Sequence, residues 1–97
     1  MFTIDTRPAR AEHILAQRNA DTMILLSPRS GQYFTLDEVG ARVWELCDGH
    51  RRVADLVSIV HAEFDAPIDT IRTDILELLD DLSSEQLVAT SPDVAAT

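Results

Sequence analysis

Residues 30–49 constrain the fold more than any other part of the chain, because they join a short aromatic strand directly to a capped helix. The stretch opens with a turn signal, continues as the strand Gln32–Leu36 and ends at a helix stop, Gly49. The helix begins either after Asp37 as its N-cap or with a capping-box pattern that starts at Thr35. No catalytic cluster, metal cluster or phosphate loop interrupts the stretch, which favours binding over catalysis.

Two further strand-like runs precede this stretch, at residues 12–17 and 22–27. Short segments rich in Asn, Asp, Ser and Pro separate the three runs and predict turns. Strands joined by short turns form an antiparallel meander. In a three-strand meander the third strand, Gln32–Leu36, lies at an edge.

Two more helices follow the first one. Apolar residues repeat at helical spacing over residues 53–64 and again over residues 68–82. The earlier of these helices has a poor cap, because Arg51 and Arg52 stand where a Ser or Thr is preferred. Pro67 is suited to open the later helix at its first turn.

The ends of the chain carry weaker signals. We predict an extended or frayed arm for residues 1–11 and a frayed tail for residues 90–97. Ser83-Ser84 ends or bends the last helix, after which Leu87-Val88 is expected to pack back on the core.

The order of elements therefore predicts an α+β fold, a three-stranded antiparallel sheet followed by three α-helices. No internal repeat or linker divides the chain, so residues 1–97 are predicted to form a single domain with its core over about residues 12–89.

The charge balance limits the kinds of partner. The formal net charge is −9, and all 8 basic residues are Arg. This balance repels a phosphate backbone and favours a neutral or basic partner, so no nucleic-acid partner is expected. The apolar runs are too short to span a membrane, and the N-terminus lacks the pattern of a signal peptide. One unpaired cysteine, Cys47, fits a reducing compartment, so we predict a cytoplasmic protein without a membrane partner.

Residues that carry chemistry elsewhere have structural interpretations here. The three histidines, His13, His50 and His61, do not form a metal-ligand spacing with Cys47. Cys47 falls on the apolar stripe of the first helix and is predicted to be a buried core thiol. The pair Asp80-Asp81 is predicted to lie at a solvated helix end rather than to act as a catalytic acid pair. We therefore expect no catalytic residue, no metal and no cofactor, and a protein that is not an enzyme.

The predicted edge strand Gln32–Leu36 is a candidate binding element. An edge strand carries unpaired N–H and C=O groups, and this one contains no Pro and no charge that would discourage pairing. A partner segment can add to such an edge as a further strand. The alternative is that the third helix or a second copy of the chain covers the edge. Tyr33 and Phe34 point to opposite faces, and the sequence leaves open which of them faces a partner.

The third helix is the second candidate. Most of its apolar stripe must be core, but residues at the border of the stripe are placed to wall a groove beside the edge strand. Asp74 lies at that border, between Ile71 and Ile75. It either receives an Arg or Lys from a bound peptide or makes an internal cap or salt bridge, an exposed contact worth only about 0–1 kcal/mol.

The chain resembles the PqqD-like proteins, also called RiPP recognition elements, over about residues 12–89. The matching residues are Ile24-Leu25-Leu26, Gly31-Gln32-Tyr33-Phe34-Thr35-Leu36-Asp37, Gly40-Ala41, Trp44-Glu45-Leu46-Cys47-Asp48-Gly49, Val53, Leu56-Val57, Phe64-Asp65, Asp74-Ile75, Leu79, Leu82 and Leu87-Val88. The run around Trp44 is close to the PqqD form, while the run around Tyr33 looks more like leader-binding proteins of lasso-peptide pathways. The family usually has Asn where this chain has Asp37, and both residues cap helices.

The resemblance implies a winged-helix-like arrangement and a non-catalytic adaptor that binds the leader segment of a ribosomally made precursor peptide. In such proteins the leader adds as a strand antiparallel to the third strand, in a groove shared with the third helix. Carried over to this chain, the resemblance implies a pairing edge and a groove wall formed by Gln32, Tyr33, Phe34, Thr35, Ile71, Asp74, Ile75 and Leu78. The implied second partner is a modifying enzyme, such as a radical-SAM maturase or a leader protease.

Two alternatives belong to other classes. A winged-helix nucleic-acid-binding protein has a similar element order but needs a basic recognition helix, and the third helix here is acidic. A dimerisation module uses the same edge strand to pair with a second copy. The sequence fits a monomer or a weak dimer.

Overall fold

The computed structural model describes residues 2–90. Along the chain lie β1 (Pro8–Arg10), β2 (Leu15–Asn19), β3 (Thr22–Ser27), β4 (Gln32–Leu36), α1 (Glu38–Leu46), α2 (Val53–Glu63), α3 (Ile68–Ser84) and β5 (Val88–Thr90). The main sheet is antiparallel with the order β2-β3-β4, and β1 pairs with β5 in a separate two-stranded sheet. The predicted α+β class, with a three-stranded antiparallel sheet and three helices, is confirmed.

The strands β3 and β4 occupy the predicted positions, but β2 does not. The predicted strand over residues 12–17 is wrong at both ends, since β2 runs over Leu15–Asn19. The N–H of Ile14 donates to the carbonyl of Ala11 at 3.4 Å, and this turn keeps residues 12–14 out of the ladder. A two-residue turn, with Ala20 at φ 57°, then joins β2 to β3.

The main sheet has one face against the core and one face toward solvent. Along β3 the side chains of Met23, Leu25 and Ser27 are buried, while those of the intervening residues are half-buried on the outer face. This alternation has the period of two expected for a half-buried strand. The inner face packs against α1, which contacts both β3 and β4.

The three helices close the core over this face. α2 and α3 pack on each other, α1 contacts both, and α3 also contacts β5. Fully buried side chains come from each of these parts, including Leu25 of β3, Leu56 of α2, Leu79 of α3 and Leu87 just before β5. The predicted return of Leu87-Val88 to the core is therefore confirmed.

The N-terminal segment is ordered against the fold, and its part Pro8–Arg10 takes the extended form, one of the two alternatives predicted for residues 1–11. Phe2 is buried in the core, and Pro8, Ala9 and Arg10 pair with Thr90, Ala89 and Val88 of β5. The guanidinium of Arg10 donates to the carbonyls of Trp44 and Glu45 at 3.1 and 2.7 Å. These carbonyls belong to the last turn of α1, where helical carbonyls lack partners within the helix. The frayed tail predicted for residues 90–97 lies outside the described residues, except that Thr90 belongs to β5.

The same segment supplies two acceptors for the N–H groups at the start of α2. The N–H of Val53 donates to the carbonyl of Thr6 at 2.8 Å, and the N–H of Ala54 donates to the carbonyl of Ile4 at 2.9 Å. The carboxylate of Asp55 accepts from the N–H of Arg52 at 3.0 Å. The first N–H groups of α2 are thus satisfied although no Ser or Thr precedes it.

The start of α1 follows the first of the two predicted placements. Asp37 is the N-cap, and its Oδ1 accepts from the N–H of Gly40 at 2.7 Å. At the other end α1 stops at Leu46 with Cys47 as C-cap, and Gly49, the predicted helix stop, has φ 83° and lies two residues beyond the cap. For α3, Pro67 is the N-cap and lies just outside the first turn, and the helix ends at Ser84 as predicted.

We expect Asp37→Ala to lower the free energy of unfolding by about 1 kcal/mol, because it removes the side-chain acceptor for the N–H of Gly40. Urea denaturation measures the change. Glu38→Ala is the matched control, since Glu38 is an exposed acidic residue in the first turn of the same helix. An equal loss in both variants would contradict a specific capping role for Asp37.

Candidate functional site

β4 is an open edge of the main sheet. Its ladder partner is β3 on one side, and no strand within residues 2–90 pairs with its other side. In an antiparallel ladder, alternate residues direct their N–H and C=O groups away from the existing partner. Every second residue of β4 therefore offers a donor and an acceptor to a further strand. The turn before β4 contains Gly31 at φ 73°, a conformation that glycine adopts without steric cost.

The side chains of β4 divide between the two faces of the sheet. Phe34 and Leu36 point to the inner face, where Phe34 packs against the core and Leu36 is buried. Tyr33 points to the outer face and is 71% exposed. Phe34 therefore faces the core and Tyr33 faces solvent.

A groove of about 440 Å³ opens beside the end of β4. Its lining comes from β4, α1, the end of α2 and α3, and comprises Thr35, Leu36, Asp37, Val39, Gly40, Val43, Val60, Phe64, Ala66, Ile71, Asp74, Ile75, Glu77, Leu78 and Asp81. Among the lining residues of α3, Ile71 and Ile75 are buried, Leu78 is half-buried and Asp74 is exposed.

The groove combines an apolar floor with an acidic rim. Asp37, Asp74, Glu77 and Asp81 are its charged lining residues, and no Arg or Lys lines it. Its other lining residues are apolar apart from Thr35 and Gly40. This composition suits an apolar side chain in the floor and a neutral or basic group at the rim.

Five of the eight residues singled out from the sequence lie together in this groove, namely Thr35, Ile71, Asp74, Ile75 and Leu78. The other three, Gln32, Tyr33 and Phe34, belong to the open strand but do not line the groove. The contributions of α1 and the end of α2, among them Val39, Val43 and Phe64, were not predicted from the sequence. Their apolar spacing was the available signal, but that spacing equally predicts core positions.

Cys47 has the environment of a structural thiol. It is completely buried at the end of α1, and its Sγ donates to the carbonyl of Val43 at 3.1 Å. Burial raises the pKa of the thiol to about 12, because the low-polarity surroundings disfavour the thiolate. The predicted position of Cys47 in the core is confirmed.

We expect Cys47 in the folded protein to react with Ellman's reagent only at the rate at which the protein unfolds, since the thiolate is the reactive form.

The raised pKa of Cys47 also makes the free energy of unfolding fall as pH rises above 9, the ordinary value for an exposed thiol, toward 12. Urea titrations between pH 8 and 11 measure this slope. Cys47→Ala should remove most of it, and an unchanged slope in that variant would contradict the assignment.

The remaining chemistry-bearing residues lie apart from the groove. His50 and His61 are exposed and His13 is half-buried. Residues 2–90 contain no group of three or more His, Cys, Asp or Glu side chains arranged to hold a metal ion. None of the helices in this part of the chain is long and apolar enough to cross a membrane.

An open edge strand beside an apolar groove defines a class of protein, the small domains that dock an extended segment of another chain. The family model for coenzyme PQQ synthesis protein D (PqqD) matches residues 22–88. The chain belongs to the PqqD family.

Curated relatives are similar over nearly the whole chain. The PqqA binding protein of Xanthomonas axonopodis pv. citri is 34% identical over 89 residues, which cover 90% of this chain and 95% of the relative. The PqqA binding protein of Bradyrhizobium diazoefficiens is 28% identical over 82 residues, which cover 82% of this chain and 78% of the relative.

Two solved structures are similar in fold. One is TbiB1 in complex with the TbiA(beta) leader peptide, with a TM-score of 0.76 and 27% identity, covering 88% of this chain and 99% of TbiB1. The other is lasso peptide synthetase B1 complexed with the leader peptide, with a TM-score of 0.73 and 25% identity, covering 86% of this chain and 98% of that protein.

Proposed function

We propose that this protein is a non-catalytic adaptor that binds the leader segment of a ribosomally synthesised precursor peptide by strand addition at β4. The observation that carries the proposal is the open edge of β4 next to an apolar groove. Backbone hydrogen bonds along an added strand supply affinity that is independent of sequence, and the groove selects side chains.

The family relatives and structural neighbours support the same class of ligand. The relatives described above are PqqA binding proteins, and both similar structures are complexes with a leader peptide. The likeness to TbiB1 extends over 88% of this chain and 99% of TbiB1.

Within residues 2–90 the main sheet has a second open edge, at β2, and two features favour β4 as the binding edge. β2 carries Arg18, whose guanidinium pairs with Glu45, and a charged residue on an edge strand discourages pairing. All five residues of β2 are exposed, whereas β4 ends at the groove. A peptide that adds to β4 gains an apolar pocket in addition to backbone hydrogen bonds.

The proposed pairing residues are Gln32, Tyr33, Phe34 and Thr35, and the proposed groove wall is Ile71, Asp74, Ile75 and Leu78. Buried Ile71 and Ile75 have little surface to offer, so Leu78 and Asp74 are the wall residues with the most side chain available to a ligand. Binding energy in such an interface comes from a few anchored side chains rather than from total area.

The adaptor would hold the leader while a modifying enzyme acts on the rest of the precursor. A radical-SAM maturase or a leader protease remains the predicted second partner, and a cytoplasmic location remains a prediction from the sequence. A nucleic-acid-binding role has no support, because the Arg residues at the start of α2 are engaged in ion pairs: Arg51 with Asp48, and Arg52 with Asp5 and Asp55.

Calorimetric titration with leader peptides tests the proposal. The PqqA leader, the TbiA(beta) leader and the leader of any precursor encoded beside this gene serve as probes, each with a scrambled copy as its control. We expect at least one leader to bind with micromolar or tighter affinity and its scrambled copy to bind at least tenfold more weakly. Equal affinity for leader and scrambled copy, or no binding of any leader, would overturn the proposal. Light scattering with and without peptide distinguishes leader binding from dimerisation through the same edge.

A further inference from the structure

The acidic residues that α3 contributes to the groove make no ion pair with another described residue, a property they share with Asp21, Asp80 and Glu85 outside the groove. Elsewhere on the described surface, Glu45 and Glu63 pair with Arg42, Asp48 pairs with Arg51, and Asp69 pairs with Arg72. None of the ion pairs between described residues involves Asp74, Glu77 or Asp81. All three are exposed and line the groove.

These three carboxylates lie on the same side of α3 as an apolar groove residue. Asp74, Glu77 and Asp81 are spaced by three and four residues, so they lie on one face of the helix together with Leu78. Seven residues of helix rise about 10 Å, which is the length of about three residues in an extended strand. A peptide strand beside α3 therefore places its basic side chains against this row when they lie within about three residues of the apolar anchor.

The sequence left two interpretations of Asp74 open, a contact with a basic residue of a bound peptide or an internal cap or salt bridge. Asp74 makes no ion pair within residues 2–90, which removes the internal salt bridge. We propose that the peptide bound in this groove carries an apolar anchor flanked within three residues by Lys or Arg, and that Asp74, Glu77 and Asp81 select it. This inference rests on the proposed function and adds the charge of the ligand to it.

The physical basis is charge complementarity at the rim of an apolar site. Exposed carboxylates next to a cation contribute about two- to fivefold in affinity for each pair, and they raise the rate of association at low salt. The overall charge of −9 adds a general attraction for cations, which is not specific to the groove. A useful experiment must separate the local effect from this general one.

Two triple variants make that separation. Asp74→Asn/Glu77→Gln/Asp81→Asn neutralises the groove row. Asp21→Asn/Asp80→Asn/Glu85→Gln neutralises three exposed acidic residues that do not line the groove, and one of these, Asp80, is on the same helix. Both variants change the net charge by the same three units. Thermal unfolding of both establishes that they are folded.

The probe is an mRNA-display library of random 15-residue peptides, selected in parallel against the unmodified protein and the two variants. We expect peptides that bind the unmodified protein and the control variant to be enriched in Lys or Arg within three residues of an apolar residue. The groove variant should lose that enrichment. In titrations of one selected peptide, the groove variant should bind about tenfold more weakly at low salt, and the control variant within about twofold of the unmodified protein.

The experiment distinguishes failure of the charge inference from failure of the proposed function. Selected peptides that compete with a leader but show no basic enrichment would overturn the charge inference and leave the proposed function standing. The same result follows if both variants weaken binding equally, because the general charge then explains the effect. If neither library peptides nor leaders bind, the proposed function and this inference are both overturned.

Discussion

Leu78→Glu is expected to weaken leader binding by about 30-fold or more, which corresponds to about 2 kcal/mol for an anchor residue in a docking groove. Leu78 is half-buried on the α3 wall of the groove, where a carboxylate would replace apolar contact with the ligand. It would also add a fourth negative charge to the row of Asp74, Glu77 and Asp81. Calorimetric titration with a leader peptide that binds the unmodified protein measures the loss.

Leu76→Glu is the matched control for this prediction. Leu76 is also half-buried on α3 and packs against the core, but it does not line the groove. The two variants introduce the same group at a comparable depth, so they should destabilise the fold to a similar extent. If Leu76→Glu weakens binding as much as Leu78→Glu does, Leu78 is not an anchor residue of the groove.

Removal of residues 2–7 is expected to lower the free energy of unfolding by about 4 kcal/mol, a large part of the roughly 5–15 kcal/mol that stabilises a typical domain. The deletion removes the buried side chain of Phe2 and the carbonyls of Ile4 and Thr6 that accept from the start of α2. Most of this loss in the free energy of unfolding comes from removing a large apolar side chain from the core.

Two single substitutions separate the contributions. Phe2→Ala should account for about 3 kcal/mol, while Ile4→Ala should cost less than about 1 kcal/mol, because the side chain of Ile4 is 46% exposed and its carbonyl is retained. Urea denaturation followed by circular dichroism measures all three variants. A Phe2→Ala variant as stable as Ile4→Ala would mean that the N-terminal segment does not contribute to the core.

The elements that the sequence predicted well are those with local signals at both ends. Turn residues bound β3 and β4, so their boundaries agree with the structure, and Asp37 was one of the two predicted starts of α1. The start of β2 was misplaced because residues 12–14 have strand-like composition but form a turn. Its hydrogen bond from Ile14 to Ala11 has no distinctive residue signature.

The pairing of β1 with β5 was not predicted, and the reason is physical. Each strand has only three residues, and the partners lie at opposite ends of the chain. Such a pairing depends on the whole fold rather than on local periodicity. The same N-terminal segment explains why α2 begins without a hydroxyl cap: its caps are the carbonyls of Thr6 and Ile4, which no pattern next to α2 reveals.

The candidate site was predictable in part. The open edge followed from the strand order, and the α3 wall followed from the family resemblance. The floor was not predictable in the same way, because Val39, Val43 and Phe64 meet there only after α1, α2 and α3 have packed. The acidic row beyond Asp74 was also missed, since charged residues on a helix usually indicate only a solvent-facing side.

The most direct test of the central claim is a set of nuclear Overhauser effects between the protein and a bound leader peptide. Strand addition at β4 predicts backbone contacts between the peptide and β4, in an antiparallel pattern, together with side-chain contacts to Leu78. It also predicts slowed amide exchange for alternate residues of β4 and unchanged exchange for β2. A bound peptide with contacts along β2, or with none along β4, would rule out strand addition at β4.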